Sequence, residues 1–188
     1  MRRVARLGYT LVELMVVMSI LGIAGALLVP QLVNSDTFSV QAATRAIISD
    51  LTFAQNDAWA NQEIRRFQFL RSETGDIRGY AILAPPTAYD APFDPETATY
   101  LDHPSLVGTG GSFTVNFDDD ARFSDVVIAS VNFDGRDWIA YDGLGGPIGP
   151  SLVPFTTGGG IEVRGQSGAY LIHLSGFTGK ISLQRIDE

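Results

Sequence analysis

Gly8-Tyr9-Thr10-Leu11-Val12-Glu13-Leu14-Met15 constrains this chain more than any other stretch. It sets one carboxylate, Glu13, near the start of an apolar run that reaches Val29. An ionised acid at membrane depth costs roughly 2.5–3.5 kcal/mol on insertion scales, and more in simulations. A segment that only anchors has no use for it. Glu13 therefore asks for a partner, and a positive charge on another copy of the same kind of segment is the simplest one. Arg2, Arg3 and Arg6 stand ahead of Gly8. A secretory signal peptide also sets basic residues before an apolar stretch, but it closes on a small-residue cleavage site. Here the run closes on Leu27-Leu28-Val29-Pro30-Gln31, with no A-x-A site after it.

Tyr9 to Val29 is 21 residues, or about 30 Å of helix at 1.5 Å per residue, close to one hydrocarbon core. Gly22 and Gly25 suit close helix packing. Pro30 removes a backbone donor, so a kink or local melting is expected there. Beyond Gln31 the polarity changes but the helical period continues. Val40, Ala43, Ile47, Leu51, Ala54 and Ala58 follow steps of three and four, which is one apolar stripe on an amphipathic helix. That stripe is expected to pack on the domain that follows.

Strand-like sequence fills the rest. Arg65–Arg71 ends in a turn at Ser72-Glu73-Thr74-Gly75-Asp76, and Tyr80–Leu83 pairs back as a hairpin. Residues 84–112 are rich in Pro, Gly, Thr and Asp and lack periodicity, so they read as a long loop with a part in partner choice. Further strands are expected over Ser112–Phe117, Asp125–Phe133, Trp138–Tyr141, Gly160–Arg164, Ala169–Leu174 and Gly179–Arg185, with a Gly- and Pro-rich turn region over 142–160. The fold class is α+β: a long N-terminal helix, first transmembrane and then amphipathic, packed on an antiparallel β-sheet or β-sandwich-like head.

The 188 residues contain no Cys, which removes disulfides and thiolate metal sites. Net charge is −8. Removing the leader through Gly8 takes three Arg from the 13 basic residues and leaves 10 against 21 acidic ones, so −11. Nucleic-acid binding rests on Lys and Arg neutralising phosphates, and no basic stripe is present.

The basic leader, the small Gly8, the aromatic Tyr9 and the apolar run with Glu13 together resemble the class III signal of type IV pilins and type II secretion pseudopilins. Tyr9 stands where that family usually has Phe. Two later regions resemble the GspH/FimT branch. One is Leu51-x-x-Ala54-Gln55-x-x-Ala58; the other is the Asp142-Gly143-Leu144-Gly145-Gly146-Pro147 turn with the Thr178-Gly179-Lys180-Ile181 turn. The resemblance implies a pilin-like fold and a structural role as a minor pseudopilin, with a minor type IV pilin for pilus assembly or DNA uptake as the alternative. A single-pass membrane enzyme or binding protein is a more distant one. It implies residues 1–8 as a cleaved leader, 9–29 as the transmembrane and filament-core helix, 30–62 as its amphipathic second half and 63–188 as the head. A prepilin peptidase/methyltransferase would cut after Gly8 and methylate Tyr9. Glu13 would serve subunit assembly with other pseudopilins or pilins. The chain would cross the inner membrane once, with its head on the periplasmic side.

No catalytic constellation is expected, and no cofactor. His103 and His173 are 70 residues apart and lie in no metalloprotease pattern. Gly176-Phe177-Thr178-Gly179-Lys180-Ile181 resembles a P-loop only in part: the first Gly is too close and Ile181 replaces Ser or Thr. The Asp118-Asp119-Asp120 cluster offers oxygen ligands for a hard cation but lacks EF-hand spacing, and a solvated turn is the default.

Overall fold

The computed structural model describes residues 10–33, 35–85, 88–104, 111–166 and 168–186, with backbone alone over 26–33 and 35–37. The chain divides into two compact units, Met1–Ser35 and Asp36–Glu188. The first contains helix α1 (Leu11–Val33). That helix does not stop at Pro30 but runs on to Val33. The described strands and helix α2 (Ser35–Asn61) build the second.

Among the described residues nine strands form one antiparallel sheet. They are β1 (Arg65–Arg71), β2 (Ile77–Leu83), β3 (Thr114–Asn116), β4 (Val127–Asn132), β5 (Trp138–Tyr141), β6 (Pro147–Ile148), β7 (Gly159–Gly165), β8 (Gly168–Leu174) and β9 (Ile181–Ile186). Their order is β6-β5-β1-β2-β4-β7-β8-β9, with β3 beside β2. Ile77 opposite Ile128 is the one residue pair that joins β2 to β4, so the sheet is two ladders meeting at a narrow seam. Most expected strands appear within a residue or two. β3 is shorter than its alternation suggests, and the two-residue β6 lies inside the stretch read as a turn.

The stripe of α2 makes the core. Val40, Ala43, Ile47, Leu51, Ala54 and Ala58 are each no more than 1% exposed. They join one cluster with Phe67 and Phe69 of β1, Tyr80 and Ile82 of β2, and Ile161 and Ile172 of β7 and β8. Three of the six stripe residues are Ala, so the helix can lie close to the sheet. Gly165 shows how close: a Cβ there would come within 2.2 Å of Val40 Cγ2. Stacked rings of Phe67 and Tyr80, 4.7 Å apart, fill the sheet side. Arg65 pairs with Asp57 at 2.5 Å and with Glu63 at 2.9 Å, which ties the end of α2 to the start of β1.

The opposite face of β1 and β5 is also covered. Tyr89, Trp138, Ala140 and Ile148 form a second buried cluster there. This explains why residues 84–112 need no periodicity of their own. The Tyr89 hydroxyl donates to Gly149 O and accepts from Leu152 N–H, both at 2.6 Å. Arg66, buried and lying over the Trp138 ring at 4.6 Å, donates to the carbonyls of Tyr89 and Ala91. Bridges from Leu83 to Tyr100 and from Asp102 to Ser112 pin the segment further along. The described part of the region read as a loop, residues 88–104 above all, is thus a strap held to the sheet by side-chain-to-backbone bonds, which no hydropathy period records.

Leu51→Ala is expected to destabilise the chain by about 2–5 kcal/mol, the range for emptying a buried leucine site. Thr52→Ala, one position off the stripe and exposed, should stay within about 0.5 kcal/mol. Urea unfolding of both variants checks this, and equal midpoints would contradict the packing of α2.

Candidate functional site

The candidate site is the start of α1. The Thr10 hydroxyl accepts from the Glu13 N–H at 3.2 Å. Thr10 is therefore an N-cap and Glu13 the third helical residue. Sequence reasoning overlooked Thr10, although Thr-x-x-Glu is the spacing of a capping box and signals it. The geometry supplies Glu13 with a local role, since an acid in the first turn complements the helix dipole. The magnitudes decide against that role as the whole account. The dipole effect is typically 0.3–1 kcal/mol, below the roughly 2.5–3.5 kcal/mol that a charge at membrane depth costs. Among the described residues Glu13 makes no salt bridge. Gly8 and Tyr9, the expected cleavage and methylation positions, lie outside the described residues.

Between Leu11 and Ile23 the described side chains of α1 are, Glu13 and Ser19 apart, apolar on every side. Leu11, Val12, Leu14, Met15, Val16 and Val17 are 47–77% exposed, and Met18, Ile20, Leu21 and Ile23 are exposed as well. Ser19 donates its hydroxyl proton to Met15 O at 2.8 Å, so it satisfies itself inside the helix. A helix that is hydrophobic all round belongs in an apolar surrounding, protein or lipid. Among the described residues no helix is long and apolar enough to cross a membrane; the side chains of α1 are described as far as Gly25.

The acidic cluster of the head is engaged with neighbouring donors. Asp118 pairs with Arg78 at 2.9 Å, Asp119 accepts from Asn116 at 2.6 Å, and Asp120 pairs with Arg122 at 2.5 Å. The triple-acid turn thus spends its carboxylates on protein donors. Among the described residues no group of three or more His, Asp or Glu is arranged to hold a metal ion. His173 is exposed on β8, and His103 stacks on Phe113 at 4.6 Å. The structure brings neither histidine to the other.

Residues 3–29 match the family model of the prokaryotic N-terminal methylation motif. That motif is the signal of type IV pilin-like and pseudopilin precursors. It implies a membrane-anchored precursor, processing by a prepilin peptidase, and assembly with other pilins. It points to a structural subunit. No curated protein and no solved structure matches the chain.

One half-buried acid in the head has a pH dependence that can be tested. Asp50, on α2, accepts from the Tyr80 hydroxyl at 2.6 Å. Burial holds its carboxyl above the ordinary value, against the lowering effect of that hydrogen bond and of His103 and Arg122 nearby. A raised folded-state pKa means stability that is complete below the unfolded value and is lost as pH rises through the folded one. Asp50→Asn should therefore gain thermal midpoint relative to the unsubstituted chain as pH rises from about 3 to about 7. A difference that stays flat with pH would show that Asp50 does not titrate differently on folding.

Proposed function

We propose that the chain is a minor pseudopilin of the GspH/FimT type, a tip or assembly-initiating subunit of a type II secretion pseudopilus that contributes to protein export. Residues 1–8 are its leader, 9–29 the membrane and filament-core helix, 30–62 the amphipathic half and 63–188 the periplasmic head. The observation that carries the reading is Glu13, which makes no salt bridge among the described residues, in a helix whose large apolar side chains from Leu11 to Ile23 are exposed. Two features of the head support the finer assignment. Asp142 Oδ1 accepts from Leu144 N–H and Gly146 N–H, at 3.0 and 2.8 Å, which builds the Asp-Gly-x-Gly-x-Pro turn. Ser175 N–H donates to Lys180 O at 2.9 Å across the Thr-Gly-Lys turn.

Cleavage after Gly8 creates an amine at Tyr9. Glu13 lies four positions further on, about 6 Å along a helix. A neighbour's Glu13 can meet that amine while the subunits stagger. Attraction in low dielectric is large, but desolvation offsets most of it, so the pair sets register more than it adds stability. Methylation enlarges the amine and keeps its charge. The signal is common to pseudopilins and type IV pilins, so a minor pilin is the second reading. With an acidic head it would be one for pilus assembly rather than for DNA.

Gly8 has no Cβ and lets the chain enter a peptidase site extended. Gly8→Val, expressed with a prepilin peptidase, should remain at precursor mass by mass spectrometry, and cutting at the normal rate would refute the site. Glu13→Leu should insert and be cut normally, yet be missing from purified filaments or tip complexes. Normal assembly of Glu13→Leu would remove the main physical support for the reading.

A further inference from the structure

The strap leaves a pocket of about 630 Å³ over the outer face of β1 and β5. That falls within the roughly 300–1,000 Å³ of ordinary ligand sites. Leu70, Pro92, Phe93, Pro95, Tyr100 and Trp138 are its apolar lining. Four charged side chains join them: Arg66, Arg71, Asp90 and Asp137. Three of the four are engaged or in water. Arg71 pairs with Asp137 at 3.1 Å, and Asp137 also accepts from Gln68 Nε2 at 3.2 Å. Asp90 is exposed and accepts from Ser151 N–H at 3.0 Å.

Arg66 is the fourth. It is 4% exposed and makes no salt bridge among the described residues. A guanidinium has five N–H donors and no acceptor. Nη1 uses its two on the carbonyls of Tyr89 and Ala91, and Nη2 uses one on Gln68 Oε1. One N–H of Nη2 and the Nε–H are left. The Nε–H is closed off from water and meets no acceptor. Trp138, with its ring centre 4.6 Å from the guanidinium carbon, gives the cation a π face but no oxygen. Asp137 and Asp90 favour the charge from beyond ion-pair distance, yet burial outweighs them and pulls the guanidinium below its ordinary pKa. A buried donor without an acceptor is costly, and native folds rarely leave one. This one stands in the wall of a pocket.

We propose that the pocket binds a free organic carboxylate with a flat apolar body, its oxygens on the two donors left by Arg66 and its body among Trp138, Phe93 and the prolines. Two carboxylate oxygens match two neighbouring guanidinium donors better than any neutral acceptor does. One unmet cation beside two acids suits a monoanion and not a phosphate, whose second charge would face Asp90 and Asp137 with no cation left for it. A peptide suits the pocket less. β1 lies between β5 and β2, and β5 between β6 and β1, so the floor has no open strand edge for a peptide main chain. The site belongs to the head alone and stands whichever filament the chain joins.

The chain has two Trp, so Trp59→Phe leaves Trp138 in the pocket wall as the sole reporter. The full-length Trp59→Phe chain, held in lipid nanodiscs with empty discs as the blank, is titrated with para-fluorohydrocinnamate and with the corresponding amide. Fluorine NMR line width reports any bound probe, and Trp138 emission reports where it sits. The acid should broaden, shift the Trp138 emission and bind about tenfold or more tighter than the amide, the gain from a charge-assisted hydrogen bond. Gln68→Glu places a carboxylate where the Gln68 carbonyl already accepts from Arg66, so acid and amide should then bind alike. Phe93→Ala should instead weaken both together. The comparison of acid with amide needs no substitution in the pocket, so it decides the matter even where Gln68→Glu melts early. Equal affinity for acid and amide in the Trp59→Phe chain, or acid binding that leaves Trp138 emission unchanged, would overturn the assignment to Arg66. No broadening of either probe at millimolar concentration would overturn the pocket itself. Acetyl-Ala-Ala-Phe with a free carboxylate binding about tenfold tighter than the small acid would overturn the free acid in favour of a chain end.

Discussion

The head depends on one interaction, the burial of the α2 stripe against the aromatic row of β1 and β2. Six helix positions and the rings of Phe67, Phe69 and Tyr80 meet in one cluster with no disulfide to hold them. Burying an Ile or Leu is worth about 1.5–3 kcal/mol each. That term, repeated along the stripe, holds together two ladders that otherwise meet only at Ile77 and Ile128. The Arg65–Asp57 pair fixes where the helix hands over to β1, but both side chains are largely out of water and the cost of desolvating them offsets much of their attraction. Polar groups set direction here and apolar area sets stability.

The two units obey opposite rules. In the head, apolar residues are buried and the exposed surface is mostly polar, apart from a few positions such as Trp59 and Leu144. Along the described side chains of α1, apolar residues face out on all sides, Thr10 caps the first turn and Ser19 bonds back along the helix. Glu13 differs, because its backbone N–H is capped while its carboxylate makes no salt bridge among the described residues. A helix of that composition is finished only by other helices or lipid. The methylation motif over residues 3–29 names the kind of process that finishes it.

Much of this was legible in the sequence because it is periodic. Every residue of the 3,4-spaced stripe proved buried, and the strands β1, β5, β7, β8 and β9 lie where alternation and turn residues set them. What escaped was held by contacts without a period. The strap over β1 and β5 depends on the Tyr89 hydroxyl and the Arg66 guanidinium finding distant carbonyls. β6 is two residues within a Gly- and Pro-rich run, defined by its partner β5 and not by its own alternation. At the site, the Glu13 carboxylate was readable as an anomaly of composition. Thr10 was missed because a cap is a local spacing, easily hidden beside a more conspicuous charge.

The start of α1 therefore combines two unsatisfied features of different physics. A carboxylate in an apolar surrounding gains an attraction that desolvation nearly cancels, so a pair made by Glu13 would discriminate between staggers without adding much affinity. The exposed apolar side chains from Leu11 to Ile23 offer area, which gains free energy on burial whatever the stagger. Neither suffices alone. Charge pairing without apolar burial would hold a register with little affinity, and apolar contact without a charge would let α1 slide along its neighbours at little cost.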